Sequence, residues 1–171
     1  MRSVMEHSFS EVPQVSIPRS SFNRSHGLKT TLDADYLYPI LVDDIVPGDT
    51  FNVNAHLFAR LATPLYPIMD NMRLETFFFF VPYRLLWDNW EKFHGAQDDP
   101  GDSISFTIPG FNSASAISAG GLGDYFGLPV GVTDILNEVS ALPYRAYDLI
   151  WNEWFRDQDL QDPIVTGKQQ K

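Results

Sequence analysis

Between Thr50 and Leu61 apolar and polar positions alternate: Phe51, Val53, Ala55 and Leu57 fall on one side, and Asn52, Asn54, His56 and Phe58 on the other. A period of two predicts a half-buried strand, and Pro47, Gly48 and Asp49 supply the turn that introduces it. Upstream, Tyr36–Val46 is apolar enough for an earlier strand, with Pro39 confining that position to an edge or to the strand's beginning. Leu61–Asn71 carries Pro64 and Pro67 and reads as a connection. The alternation then disappears. Leu74, Thr76, Phe77–Phe80 and Val81 place apolar groups on both faces, the pattern of a strand covered from each side. At ~25 cal/mol per Å² and ~150–250 Å² per ring, each phenylalanine left in water forfeits several kcal/mol.

Pro82 removes a ladder donor and ends that strand, and Tyr83, Leu86, Trp87 and Trp90 follow at helical spacing. The pattern predicts a helix over about 83–94 with Gly95 as its C-terminal stop. Residues 95–131 read as loops: a turn in DDPGDS (98–103), a short strand at Ser105–Pro109, a flexible small-residue stretch at Asn112–Gly123, and a helical turn at Asp124–Leu128. Ser140–Asp157 holds the clearest helix, over about 143–157, with Pro143 in its first turn. Tyr147, Ile150, Trp151, Trp154 and Phe155 give it a wide aromatic stripe.

The segment Arg73–Gly95, RLETFFFFVPYRLLWDNWEKFHG, resembles the major capsid proteins of the microviruses, the small circular single-stranded DNA bacteriophages, especially their gokushovirus branch. The stretches SFSEVPQVSIPRSS (Ser8–Ser21), YPILVDDIVPGDTF (Tyr38–Phe51), LATPLYPIMD (Leu61–Asp70) and LPYRAYDLIWNEWFRDQDL (Leu142–Leu160) resemble that family in the same order. The resemblance implies a mainly β fold, a viral jelly roll. That is an antiparallel β-sandwich with long loops and inserted α-helices. It implies a homo-oligomeric T=1 icosahedral shell enclosing circular single-stranded DNA, contacts with other virion proteins, and attachment to a host-cell surface receptor. Chains of that family are longer, so this one is expected to be an N-terminal portion with an incomplete jelly roll. Residues 1–30 then form an extended N-terminal arm, and residues 31–171 the first part of the capsid domain with its helical insertions. The expected location is the virion, assembled in the bacterial cytoplasm.

Charge refines this picture. Arg2, Arg19, Arg24 and Lys29 against Glu6 and Glu11 give residues 1–30 a net +2, so the rest carries −12 of the chain's −10. A mildly basic arm precedes an acidic body, and the four basic residues are the candidates for DNA contact, although so few charges give only a small counterion-release effect. Trp87, Trp90, Trp151 and Trp154 are candidate subunit-interface or core aromatics, tryptophan being enriched at interface hot spots. The chain has no cysteine, which excludes disulfides and thiolate metal sites and fits a reducing compartment. No apolar run approaches the ~20 residues a membrane span needs, and MRSVMEHSFSEV lacks the apolar centre of a signal peptide.

Catalytic patterns are weak throughout. Asp98, Asp99 and Asp102 lack the ligand frame of a calcium loop, and the pair Asp43 and Asp44 forms no motif. AGGLGDYFG has neither the lysine nor the hydroxyl residue of a phosphate-binding loop. His7, His26, His56 and His94 show no metal-ligand spacing, and the sequon at Asn23 has no secretory signal beside it. The reading calls for no cofactor and no catalytic residue. Two rivals stand beside it: a carbohydrate-binding jelly-roll module whose exposed aromatics stack on sugars, and a hydrolase using Asp98 and Asp102.

Overall fold

A computed structural model describes residues 16, 18–103, 105–111, 116–132 and 139–165. The chain divides into two units between Thr31 and Leu32. In the first, the described residues are exposed and carry no helix or strand. A local turn forms where the Ser25 amide donates to Asn23 Oδ1 at 3.0 Å, and His26 Nδ1 lies 3.0 Å from the Arg24 carbonyl.

The second unit is organised by short helical elements: a 3₁₀ turn Tyr83–Leu85, helices α1 (Trp90–Phe93), α2 (Leu122–Tyr125) and α3 (Leu142–Ile150), and a π turn Trp151–Phe155 continuing from α3. The span expected as one helix over 83–94 is thus divided. Pro82, extended at ψ 134°, opens a 3₁₀ turn in which Leu86 and Trp87 both donate to the Tyr83 carbonyl, and α1 completes a single turn before Gly95 at φ +91°. That left-handed backbone is the conformation glycine adopts at no steric cost, which is why the stop falls there. The second expected helix, over about 143–157, changes character at Ile150. Arg156 donates to the Trp151 carbonyl five residues back, and this wider turn re-aims the aromatic positions at its end.

Leu86, Trp87 and Leu142 form the buried core, with Val81, Tyr83, Trp90, Phe106, Ala146 and Leu149 packed around them. Trp87 is completely buried. α3 enters this core through Ala141 and Leu142, its first turn tied to Ser140 and to Pro109, whose carbonyl accepts from the Ala141 amide at 2.8 Å. Gly110 and Ser140 make an isolated antiparallel bridge. The stretch expected to be flexible before Gly123 is described from residue 116, exposed at 118–120 and packed at Ile117. Ile117 is buried, and a Cβ added to Gly123 would lie 2.9 Å from Ile117 Cγ2 and 3.3 Å from the Tyr144 hydroxyl. Here glycine permits close approach rather than motion.

Residues 50–81 behave differently. They run without secondary structure or main-chain to main-chain hydrogen bonds among the described residues. The alternating segment and the phenylalanine run take no ladder partner there, and Phe77, Phe78 and Phe80 stay exposed. Strand pattern alone supplies one surface; burial needs a second layer of matching shape.

Candidate assembly surface

A short aromatic scaffold carries the exposed surface. The Phe77 and Phe79 rings lie 6.4 Å apart, and both meet Phe155 edge-on, at 5.5 and 6.1 Å. Phe79 also meets Trp154 at 5.7 Å. Contacts of this geometry add to area burial, so alternate rings of the phenylalanine run fasten it to the π turn while Phe78 and Phe80 project outward. The π turn is itself secured from the other side. Asn152 Nδ2 donates to the Ile164 carbonyl at 2.9 Å, and the Ile164 amide donates back to Asn152 Oδ1 at 2.8 Å. One side-chain amide thereby satisfies the two main-chain groups a neighbouring strand would otherwise bond.

Beneath this surface lies a polar anchor. Arg145 is buried at 5% exposure, and its Nη1 donates to the Leu86 carbonyl at 3.1 Å. Burial pushes the guanidinium below its ordinary pKa, and the charge of Asp88 works against that shift. The hydrogen bond joins α3 to the 3₁₀ turn that carries Trp87. Two tyrosines bind the extended segment 37–44 to the same scaffold: Tyr147 donates to the Leu37 carbonyl at 2.8 Å, and Tyr83 donates to the Asp44 carboxylate. Burial, and then the hydrogen bond to the Asp44 carboxylate and its charge, raise the Tyr83 phenol well above its usual value. Tyr144 stacks on Phe111 at 4.3 Å and meets Phe126 at a tilt at 4.5 Å, yet its buried hydroxyl has no hydrogen-bond partner among the described residues.

The four tryptophans of the sequence reading are dispersed. Trp87 is core, Trp90 is half-buried against Tyr83 and Phe93, Trp151 is half-buried, and Trp154 is 72% exposed. Of the basic candidates, Arg19, Arg24 and Lys29 lie at exposed positions of the first unit, and Arg2 lies outside the described residues. The Asp-rich turn is a closed local structure. The Asp102 carboxylate accepts from the amides of Asp98 (3.1 Å) and Asp99 (3.3 Å) and stands 3.9 Å from Lys92 Nζ. No metal-holding group of His, Asp and Glu occurs among the described residues. No helix there is long and apolar enough to cross a membrane. Sequence reasoning missed Arg145 and Asn152. Arg145 follows Leu142 by three residues and precedes Leu149 by four, so its place on the inward stripe was a usable signal; Asn152 offered none.

An arrangement that holds aromatic side chains outward on a small packed base suits contact with other protein surfaces. Residues 10–170 match the family described as capsid protein (F protein). The chain is 51% identical over 164 residues to the capsid protein VP1 of Bdellovibrio phage phiMH2K, covering 95% of this chain and 30% of that protein. It is 48% identical over 174 residues to VP1 of Chlamydia phage 1 (96% and 29%) and 33% identical over 156 residues to VP1 of Spiroplasma virus 4 (90% and 28%). The chain therefore spans about three tenths of the length of these relatives. With the match covering nearly its whole extent, the chain belongs to the capsid protein (F protein) family of the microviruses, whose members are virion components.

Proposed function

We propose that this chain is a structural segment of a major capsid protein that self-assembles into a T=1 icosahedral shell around circular single-stranded DNA. Its strands belong to a viral jelly roll, and its loops take part in host attachment. The observation that carries the reading is the run of residues 50–81. It is largely exposed, free of main-chain ladder bonds among the described residues and rich in large apolar side chains, beside a base that is already packed. A backbone of that kind is a template for further strands, and its side chains lose several kcal/mol for as long as water covers them. Layers from the same capsid domain and from neighbouring subunits meet both needs at once. The role is mechanical: complementarity spread over many symmetric contacts replaces any single strong site.

A chimera tests this. The chain replaces the matching segment of the phiMH2K VP1, to which it is 51% identical, and the product is examined by electron microscopy and nuclease protection. Closed particles that shield single-stranded DNA are expected. Soluble monomers from the chimera, under conditions where the parent VP1 makes particles, would overturn the reading.

A further inference from the structure

Residues 37–44 of the second unit carry no helix or strand, and a closed turn stands at each end of them. In the first turn Asp35 sits at φ +66°, left-handed backbone that aspartate is among the few side chains to tolerate, and the Tyr38 hydroxyl accepts from the Asp33 amide at 3.1 Å. In the second, Gly48 sits at φ +92°, the Asp49 amide donates to the Val46 carbonyl at 3.0 Å, and the Val46 amide donates to Asp49 Oδ2 at 3.1 Å. Between the turns, residues 38–42 make no main-chain to main-chain hydrogen bond among the described residues, and no residue of 37–44 belongs to the Trp87 core. Side chains from three helical elements reach the segment instead. Tyr147 of α3 donates to the Leu37 carbonyl at 2.8 Å, Tyr125 of α2 packs on the Tyr38 ring at 4.4 Å, and Tyr83 of the 3₁₀ turn donates to the Asp44 carboxylate.

We propose that residues 37–44 are a releasable strap, hinged at the Asp35 and Gly48 turns, which unclasps from Tyr83 and Tyr147 while the Trp87 core stays folded. Local opening concentrates where buried apolar contacts are few and the backbone is solvated, and here Leu37–Ile40 are only half-buried while Leu41 and Val42 are exposed. Hinges work by confining the change in φ and ψ to a few residues at the ends of a segment, and both turns offer that. The clasps suit reversible release. When they part, two phenol hydroxyls, a carbonyl and a carboxylate all return to water, so no polar group is left buried and unpaired. Arg145 differs, because losing its bond would strand the Leu86 carbonyl inside the core. Release also withdraws the Tyr38 ring from Tyr125, so the state of the strap is passed to α2. The device belongs to the folded unit and holds whether or not shells form.

The absence of native cysteine makes the motion measurable. Ile40→Cys, half-buried in the strap, and Ala146→Cys, packed against the core, are made in separate full chains and labelled with an aromatic disulfide reagent in native buffer. In the Ile40→Cys chain, Tyr83→Phe is expected to speed labelling roughly tenfold, its acceptor being charged, and Tyr147→Phe roughly threefold. The two together give roughly thirtyfold, because both clasps act on one opening. The Ala146→Cys chain labels at an unchanged rate throughout, and near-ultraviolet dichroism from buried Trp87 stays the same. Tyr36→Phe, at a 73% exposed position, is the control and changes neither rate. Equal acceleration at Ile40→Cys and Ala146→Cys overturns the proposal, since the strap then opens only with the core. So does a rate that fails to rise in the Tyr83→Phe, Tyr147→Phe chain, or one that Tyr36→Phe raises as much.

Discussion

Two regions of this molecule are rich in aromatic side chains and differ in how far those side chains are buried. Around Trp87, rings and aliphatic groups close over one another and enclose Arg145, whose hydrogen bond to Leu86 joins two elements. From Phe51 to Phe80, side chains of the same kind stand exposed on a backbone without a ladder. The difference lies in the range of the partners. Trp87 meets Trp90 and Phe93 through local helical turns, and the core around it takes Phe106 and α3 from farther along the chain. The phenylalanine run needs a complete second layer, and local turns cannot provide one.

The sharpest way to break this comparison is to truncate one aromatic from each region. Trp87→Ala removes the largest fully buried side chain, and a loss of ~3–5 kcal/mol is expected, enough to abolish a cooperative urea transition followed by near-ultraviolet dichroism. Phe78→Ala, at an exposed position, is expected to move the same transition by less than ~0.5 kcal/mol. Equal losses would show that the phenylalanine run is already part of the core.

Next in size is Arg145→Met. The variant keeps the apolar stem but leaves the buried Leu86 carbonyl without the donor at 3.1 Å, at an expected cost of ~1–3 kcal/mol. Arg145→Lys, which retains a charge but not the planar fork, should recover only part of this. Full stability in Arg145→Met would mean that apolar packing alone joins α3 to the 3₁₀ turn.

How much of this was legible in the sequence depended on whether the signal was local. Gly95 was readable because ending a helix requires a residue tolerant of positive φ, and the structure places it at +91°. Pro143 was readable because the first turn of α3 has no use for its missing donor. The tryptophans were not: Trp87 and Trp154 occupy similar stripes, yet one is wholly buried and the other 72% exposed, because burial depends on what stands opposite. Nothing in WNEWF marks the shift from α to π geometry at Ile150, and Asn152 looks like any surface amide until Ile164 comes alongside. Capsid resemblance, by contrast, lay in long collinear segments, and the family match covers the same ground.

A smaller effect probes the quality of the packed region. Tyr144 contributes its ring to Phe111 and Phe126 while its buried hydroxyl has no partner among the described residues, and burial raises its phenol pKa. Tyr144→Phe keeps the ring contacts and removes the orphan group, so a gain of up to ~1 kcal/mol is expected in thermal or urea unfolding. A loss of that size would reveal a partner for the hydroxyl and a more polar interior than the geometry describes.

The smallest expected effect comes from an exposed place that is locally complete, which separates exposure from incompleteness. The Asp102 carboxylate is held below its ordinary pKa chiefly by the Asp99 amide, then by the Asp98 amide, with a lesser contribution from Lys92. The ionised form is thus the better bound one in the folded chain. Its contribution is present above the ordinary carboxylate value of ~4 and is lost as pH falls through the depressed folded value. Asp148 has the opposite sign: burial raises its pKa, so its folded-state preference is for the neutral acid, and stability from that preference is lost as pH rises through the raised value. Melting curves of the parent and Asp102→Asn should therefore differ near neutral pH, with the parent higher, and converge below about pH 4. A gap that persists unchanged into strong acid would mean that the turn is held by the shape of its backbone and not by the charge at Asp102.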